Sequence, residues 1–463
     1  MIGRNVSLEW MLCLIQINFF CWINQALITC VSRIICVIET LVPSKFSDKI
    51  RILRSHEVVF YNVIGLTFFN SLGGLLTILT QVKLANVMGA SHYGVYSYCL
   101  AIGEVGAMVV RYGRHKTMVR DLIQYPVRNL QLISSTFIIG VINFLIFLGL
   151  VLVFHQDIDI QISVGTVLLI CGACLISLDF QPVYESLNAM SWHSMYNLFQ
   201  KLIFVIILWG IMLSPFTLSL NVLGIVFFFS WILVIVWQYK EITSFFHLKI
   251  ISTCEWSKLF KLYRENFVVA FSCLFGIAFG PIIRIVLNNY CNSREVGVFS
   301  AGLQILLIAQ FILNQIGRIG NPMMAIIGKD NCSMKQRRLF VYRYLFIMLS
   351  STLPFFIPFF FFPSLVVNMF FTEEYADLVI MLPILAVYLI ALSVGVVYTQ
   401  FLISMRKDRL YFIIYVLGAT LTILCAFLLI PILGILGATL SLCVPHALTC
   451  LCYWWFSANL LRK

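Results

Sequence analysis

Apolar runs of helix length recur along nearly all of this 463-residue chain, and few folds accept that pattern. They fall at about 58–82, 93–113, 130–154, 162–180, 196–214, 219–238, 265–288, 296–317, 341–362, 378–402, 410–430 and 433–457. Each matches the roughly 18 or more residues of a helix that crosses a bilayer and exceeds the ten or so of a barrel strand. Only 11% of the residues are charged, against about 25% in a soluble protein. The mean hydropathy is +0.98. The expected fold class is an all-α polytopic membrane protein with twelve transmembrane helices.

The second run nearly repeats later in the chain. Gly94, Val95, Tyr96, Ser97 and Leu100 line up at one constant offset with Gly297, Val298, Phe299, Ser300 and Leu303. Gly113-Arg114 and Gly317-Arg318 close the two stretches. Pairing span two with span eight gives a six-span unit. Six is even, so the halves keep the same orientation, with a pseudo-two-fold axis along the membrane normal. The expected division is an N-terminal extension at 1–57, an N-lobe at 58–240, a basic linker at 241–264 and a C-lobe at 265–463. Residues 8–42 read as an extra span, an interfacial helix or an upstream extension from a different start site.

The net charge of +12 sits in short loops rather than on a basic soluble face, so nucleic acid is not the expected partner. All but a handful of the 31 Lys and Arg fall in loops on one side. Asp157, Asp159, Glu295, Glu373, Glu374 and Asp377 lie on the other. Both ends of the twelve-span core are therefore expected in the cytoplasm. The 15 Cys lie mostly inside apolar runs and read as small hydrophobes, Cys171 and Cys174 included. No P-loop, zinc-protease motif, nucleophile elbow or paired loop carboxylates occur, so nothing asks for an enzyme, a cofactor or a metal.

A few polar residues interrupt the apolar spans. Ser97, Glu104 and Arg111 repeat every seventh position and share a helix face. A carboxylate at such depth costs several kcal/mol unless it faces water, a partner or a substrate. Glu104 is therefore a candidate for ion coupling, or a structural pair for a neighbouring helix. Arg284 follows Pro281 among Leu, Ile and Val, and Lys83 ends span one. Each either binds an anion such as a phosphate or snorkels to the surface. Arg111 and Arg318 are further cation candidates. Gln310, Asn314 and Arg318 stack at i, i+4 and i+8, either tying helices together or binding sugar hydroxyls. Asp179, before Pro182, is a second ion-coupling candidate or an ordinary helix end.

Local patterns add a resemblance. Asn86-Val87-Met88-Gly89-Ala90 followed by Tyr93-Gly94-Val95-Tyr96 is similar to the start of span two in the polysaccharide-exporting branch of the multidrug/oligosaccharidyl-lipid/polysaccharide superfamily, the O-antigen flippases. Val296–Ala301 resembles the counterpart before span eight. Phe370–Tyr375 resembles the turn before span ten, and Ile430–Ala438 the turn between the last two spans. The resemblance covers about residues 57–457. It implies two six-helix lobes, as in the multidrug exporters of the superfamily. It also implies a flippase that moves an undecaprenyl-diphosphate-linked oligosaccharide across a bacterial inner membrane, beside a polysaccharide polymerase and chain-length regulator. Members often carry an acid in span seven, where this chain has Arg284, so the family's ion-coupling scheme does not carry over. An ion-coupled multidrug exporter of the same fold is the nearest alternative. A membrane polymerase or glycosyltransferase would need a large external loop, which this pattern lacks.

Overall fold

Backbone at lipid depth must close its own hydrogen bonds, and every regular element among the described residues is helical. The computed structural model describes residues 57–124, 129–154, 163–187, 189–214, 218–245, 256–327 and 334–462. The expected N-terminal extension lies outside them, apart from Glu57, as does much of the expected linker.

The first half begins with α1 (Glu57–Arg111), α2 (Arg114–Gln124) and α3 (Asn129–Val153). It continues through α4 (Val164–Leu175), α5 (Gln181–Ser186), α6 (Met190–Leu213) and α7 (Leu220–Phe245). The second half holds α8 (Trp256–Leu274), α9 (Pro281–Tyr290), α10 (Ser293–Ile327) and α11 (Met334–Phe361). It ends with α12 (Pro363–Phe370), α13 (Leu378–Ser404) and α14 (Asp408–Arg462).

Nine helices among the described residues are long and apolar enough to cross a membrane, or ten if one bent pair counts as a span. Two of these are double. Their apolar stretches, Gly65–Arg111 and Asp408–Leu461, run 47 and 54 residues. At 1.5 Å per residue, each is at least twice the roughly 30 Å of a hydrocarbon core. Each contains one glycine in the left-handed region, Gly89 at φ 73° in α1 and Gly434 at φ 55° in α14. A residue without Cβ takes that conformation freely, so the chain reverses there without leaving helical hydrogen bonding for long. The described residues form an all-helical, multi-pass bundle; with the bent pair taken as one span, two crossings in each of α1 and α14 make it consistent with the twelve expected spans. Exposed Leu75, Ile206, Phe346, Leu365, Leu428 and Ile432 form part of its apolar outer surface.

Some boundaries differ from the sequence reading. Span four is not one helix to residue 180. After α4 the chain tightens into a 3-10 turn at Ile176–Leu178, and Pro182 sits in the first turn of α5. Span seven is broken by a 3-10 turn at Phe275–Phe279, followed by Gly280 and Pro281 at the start of α9. Gly113, at φ 67°, does end α1, but Gly317 lies inside α10, which runs on to Ile327.

The two repeated stretches pack directly on each other. A Cβ on Gly94 would overlap the Ser293 carbonyl oxygen, and a Cβ on Gly297 would overlap that of Ala90. Each imagined Cβ also lies 3.0 Å from the other glycine's amide nitrogen. The repeat glycines thus meet at a backbone-to-backbone crossing that only hydrogen side chains permit. The same end of the bundle carries a clasp from the 371–377 segment onto the Gly89 reversal. Asn86 donates to the Phe370 carbonyl at 2.8 Å and accepts from the Thr372 amide at 3.2 Å. The Ala90 amide donates to Glu374 at 2.7 Å, and Tyr375 donates to the Ala85 carbonyl at 2.9 Å. Arg294 braces the segment through the Glu374 carbonyl at 3.1 Å and Asp377 at 2.9 Å.

Gly94→Ala and Gly297→Ala are each expected to lose about 1–3 kcal/mol through overpacking at this crossing. Once one methyl has forced the helices apart, the second costs less, so the double variant should lose less than the sum. Thermal unfolding in detergent measures this. Gly149→Ala is the control, since nothing lies within 4 Å of its imagined Cβ.

Candidate functional site

From the glycine crossing, the second arm of α1 and helix α10 diverge, and a cavity of about 270 Å³ opens between them. Repeat-related positions face it in pairs: Ser97 with Ser300, Leu100 with Leu303, and Glu104 with Leu307. The first arm of α1 adds Gln81, and Phe279 and Arg284 close another side. Gln304, Gln310, Tyr388 and Leu442 complete most of the lining.

The broken helix places Arg284. Pro at the first position of α9 is pre-set for a helix start, and Arg284 sits in that first turn, its amide 3.4 Å from the Gly280 carbonyl. Its Nη2 donates to the Glu104 carboxylate, and its Nη1 donates to the Ser97 carbonyl at 3.3 Å. The side chains differ in exposure, 11% for Arg284 and 45% for Glu104. Next to the pair, Gln81 bridges two buried phenols. Its Nε2 donates to the Tyr96 hydroxyl at 2.9 Å, and the Tyr93 hydroxyl donates to its Oε1 at 3.3 Å. Three cavity-lining residues keep buried polar atoms with no partner: Arg284 Nε, Gln304 Oε1 and Ser300 Oγ. One is a donor and one an acceptor, while the hydroxyl serves as either. With both terminal nitrogens of Arg284 engaged, by Glu104 and by the Ser97 carbonyl, a ligand gains the fork only by replacing one of these partners.

The sequence candidates separate here. Arg284, Glu104 and Gln310 share the cavity. Arg111 and Asp179 line a second, smaller cavity of about 50 Å³ with Arg114, His115 and Ser177. There Arg111 Nη2 donates to the Ile176 carbonyl at 3.4 Å, its Nε is buried without a partner, and Asp179 pairs with His193 at 3.0 Å. Burial, and then the charge of Arg111, hold the His115 imidazole below its ordinary range. Arg111 leaves the Ser97–Glu104 face partly because a seven-residue step drifts by about 20° on a straight helix. Lys83 and Asn314 are exposed and line neither cavity. Arg318 lies in α10, and its side chain is outside the described residues.

Sequence reasoning missed Gln81, Tyr93 and His193 as site residues. The repeat carried a usable signal for Ser97 and Ser300, whose equivalence marks the two facing walls.

Removing one member of the ion pair strands the other. Glu104→Ala is expected to lower stability by about 1–2 kcal/mol, discounted from the cost of a fully buried pair because the carboxylate is nearly half exposed. Glu104→Ala with Arg284→Ala should recover part of that loss. A double-mutant cycle of melting temperatures in detergent checks it, and strictly additive losses would contradict the pairing.

The family described as polysaccharide biosynthesis protein matches residues 59–327. The capsular polysaccharide biosynthesis protein CapF of Staphylococcus aureus is 25% identical over 256 residues, covering 52% of this chain and 64% of that relative. The chain thus matches less than two thirds of that relative's length. Among solved structures, the lipid II flippase MurJ in an inward closed conformation superposes with a TM-score of 0.65 at 14% identity. That match covers 86% of this chain and 87% of the flippase. An inward-facing multidrug resistance MATE family transporter of the MOP superfamily gives 0.57 at 12% identity, over 86% and 94%. At these identities the likeness is one of fold.

Proposed function

Since this chain belongs to the polysaccharide biosynthesis protein family, we propose that it is a flippase for an undecaprenyl-diphosphate-linked oligosaccharide, such as an O-antigen repeat unit. It would move the headgroup from the cytoplasmic to the outer leaflet of a bacterial inner membrane, with both ends of the twelve-span core in the cytoplasm. The observation that carries this reading is a largely buried arginine on the wall of a polar cavity inside an apolar bundle.

A diphosphate and its sugars cannot enter hydrocarbon without losing their water, so the cavity must replace it. Arg284 supplies charge and a planar fork for phosphate oxygens. Gln304 and Gln310 supply amide groups for hydroxyls, while the polyprenyl tail remains in lipid. Arg111, near the opposite end of the same arm of α1, is a second cation along the headgroup's route. Lys83, Asn314 and Arg318 are left as outer contacts. Glu104 and Asp179 are the groups proposed to exchange protons, each already paired with a basic side chain. Alternating access would open the two ends in turn. The products would pass to a polysaccharide polymerase and chain-length regulator.

The cavity's acid gives the multidrug-exporter reading one supporting observation, because a cationic drug wants a carboxylate. Glu104, however, is neutralised by Arg284, so an entering cation meets no net negative charge from the pair.

In cells whose native copy is deleted, Arg284→Ala at normal membrane levels is expected to abolish surface polysaccharide, and Arg284→Lys to retain part of it. Immunoblotting of extracted glycan measures both. Wild-type glycan from the alanine variant would remove the phosphate-anchor role.

A further inference from the structure

Arg284 already holds an anion, and the two partners are not equally fixed. The guanidinium is set by the break before α9 and by the Ser97 carbonyl, with its side chain 11% exposed. The carboxylate, 45% exposed, is the partner a ligand can reach and displace. The Nε of the same guanidinium is buried and without a partner, so its donor is not committed elsewhere. Resting on the flippase reading, we infer that Glu104 is a built-in stand-in for the ligand's phosphate. A phosphate-bearing headgroup binds by taking Arg284 from it, and Glu104 takes up one proton as it is displaced.

The charges around the site require that proton. Arg284 of α9 faces Glu104. Tyr93 and Tyr96 are the phenols on its own helix, and Tyr388 of α13 lines the same cavity. α10 presents only uncharged Ser300, Gln304, Gln310 and apolar side chains. His446 of α14 stands behind the rings of Phe279 and Tyr388. Among the described residues lining the cavity, Arg284 is the single fixed cation. A phosphate and a carboxylate sharing one cation in a partly dry site repel, and the carboxylate is the weaker acid, so it accepts the proton. The balance is simple. One proton leaves bulk water for a Glu104 oxygen, the ion pair passes to a phosphate oxygen, and no covalent bond changes. A ligand that brings a proton with it binds more tightly as pH falls, by linkage.

The test uses the purified full chain in nanodiscs and farnesyl-diphospho-N-acetylglucosamine as probe. Each of its phosphates carries one ester and one anhydride link and has no second proton to lose near neutral pH. Isothermal titration calorimetry in two buffers of different ionisation enthalpy counts protons between about pH 6 and pH 8. The wild type is expected to take up close to one proton per probe over part of that range, with affinity rising several-fold per pH unit toward acid. Glu104→Gln, which mimics the protonated acid, should bind at least as tightly as the wild type at about pH 8, with no proton uptake and a flat pH profile. Binding by the wild type with no proton exchange, or with the same exchange as Glu104→Gln, overturns the inference and leaves the flippase reading intact. Failure of the wild type and Glu104→Gln alike to bind the probe overturns that reading, and the inference falls with it.

Discussion

Two glycine backbones in contact, Gly94 against Gly297, set the geometry of everything beneath them. Between helices at lipid depth there is little hydrophobic gain, because lipid tails are as apolar as leucine, and close backbone packing supplies the attraction instead. The contact brings α1 and α10 together backbone to backbone. Below it, larger side chains hold the two helices apart, and the gap between them is the cavity. The same stretch of sequence, used twice, makes the pivot with its glycines and the facing walls with its serines and leucines.

Polar groups are tolerated in that gap because almost every one is answered. Gln81 satisfies Tyr93 and Tyr96, and Glu104 offsets Arg284. A buried guanidinium with nothing opposite would be far more costly than the pair. Among the cavity-lining residues, Arg284 Nε, Gln304 Oε1 and Ser300 Oγ are left without a partner. The second cavity follows the same logic with different residues. Asp179 is answered by His193, Arg114 by Asp121 at 3.2 Å, and Arg111 is left with a spare donor.

Much of this was legible in the chain, and the limits were physical. The membrane class and the repeat follow from periodicity, and the importance of Glu104 and Arg284 follows from their cost in an apolar span. Their pairing was not readable, because 180 residues separate them and each was judged against its own helix. Lys83 stands out in the sequence because it ends span one. Yet Gln81 is the residue facing inward, and two positions along a helix turn a side chain about 200° away. The sequence reading leaves a loop at 83–92, where polar residues surround Gly89, and takes Ile430–Ala438, with Pro431 and Gly434, as a turn by resemblance. Both reversals instead remain helical up to a single left-handed residue. The internal break of span seven was signalled by Gly280-Pro281, and it puts Arg284 in the first turn of a new helix rather than midway along an old one.

The two ends of the cavity differ in a way that bears on the proposed cycle. Beyond the glycine crossing, Asn86, Glu374 and Tyr375 join the Gly89 reversal to the segment before α13 by side chain-to-backbone hydrogen bonds. Such bonds are directional and are lost within a small displacement, unlike apolar contacts, which slide. A rocking motion that opened this end would break them together and would have to separate the glycines as well. The Arg284–Glu104 pair lies just inside, joining α1 to α9 across the same division. An ion pair that a ligand exchanges and a clasp that motion breaks therefore lie on one lever, the second arm of α1. Anything that loosens Glu104 from α9 also removes a tie holding that lever closed. Differential binding to the two states is the only means by which a ligand can shift a conformational equilibrium, and in the proposed cycle the exchange of this ion pair would supply it.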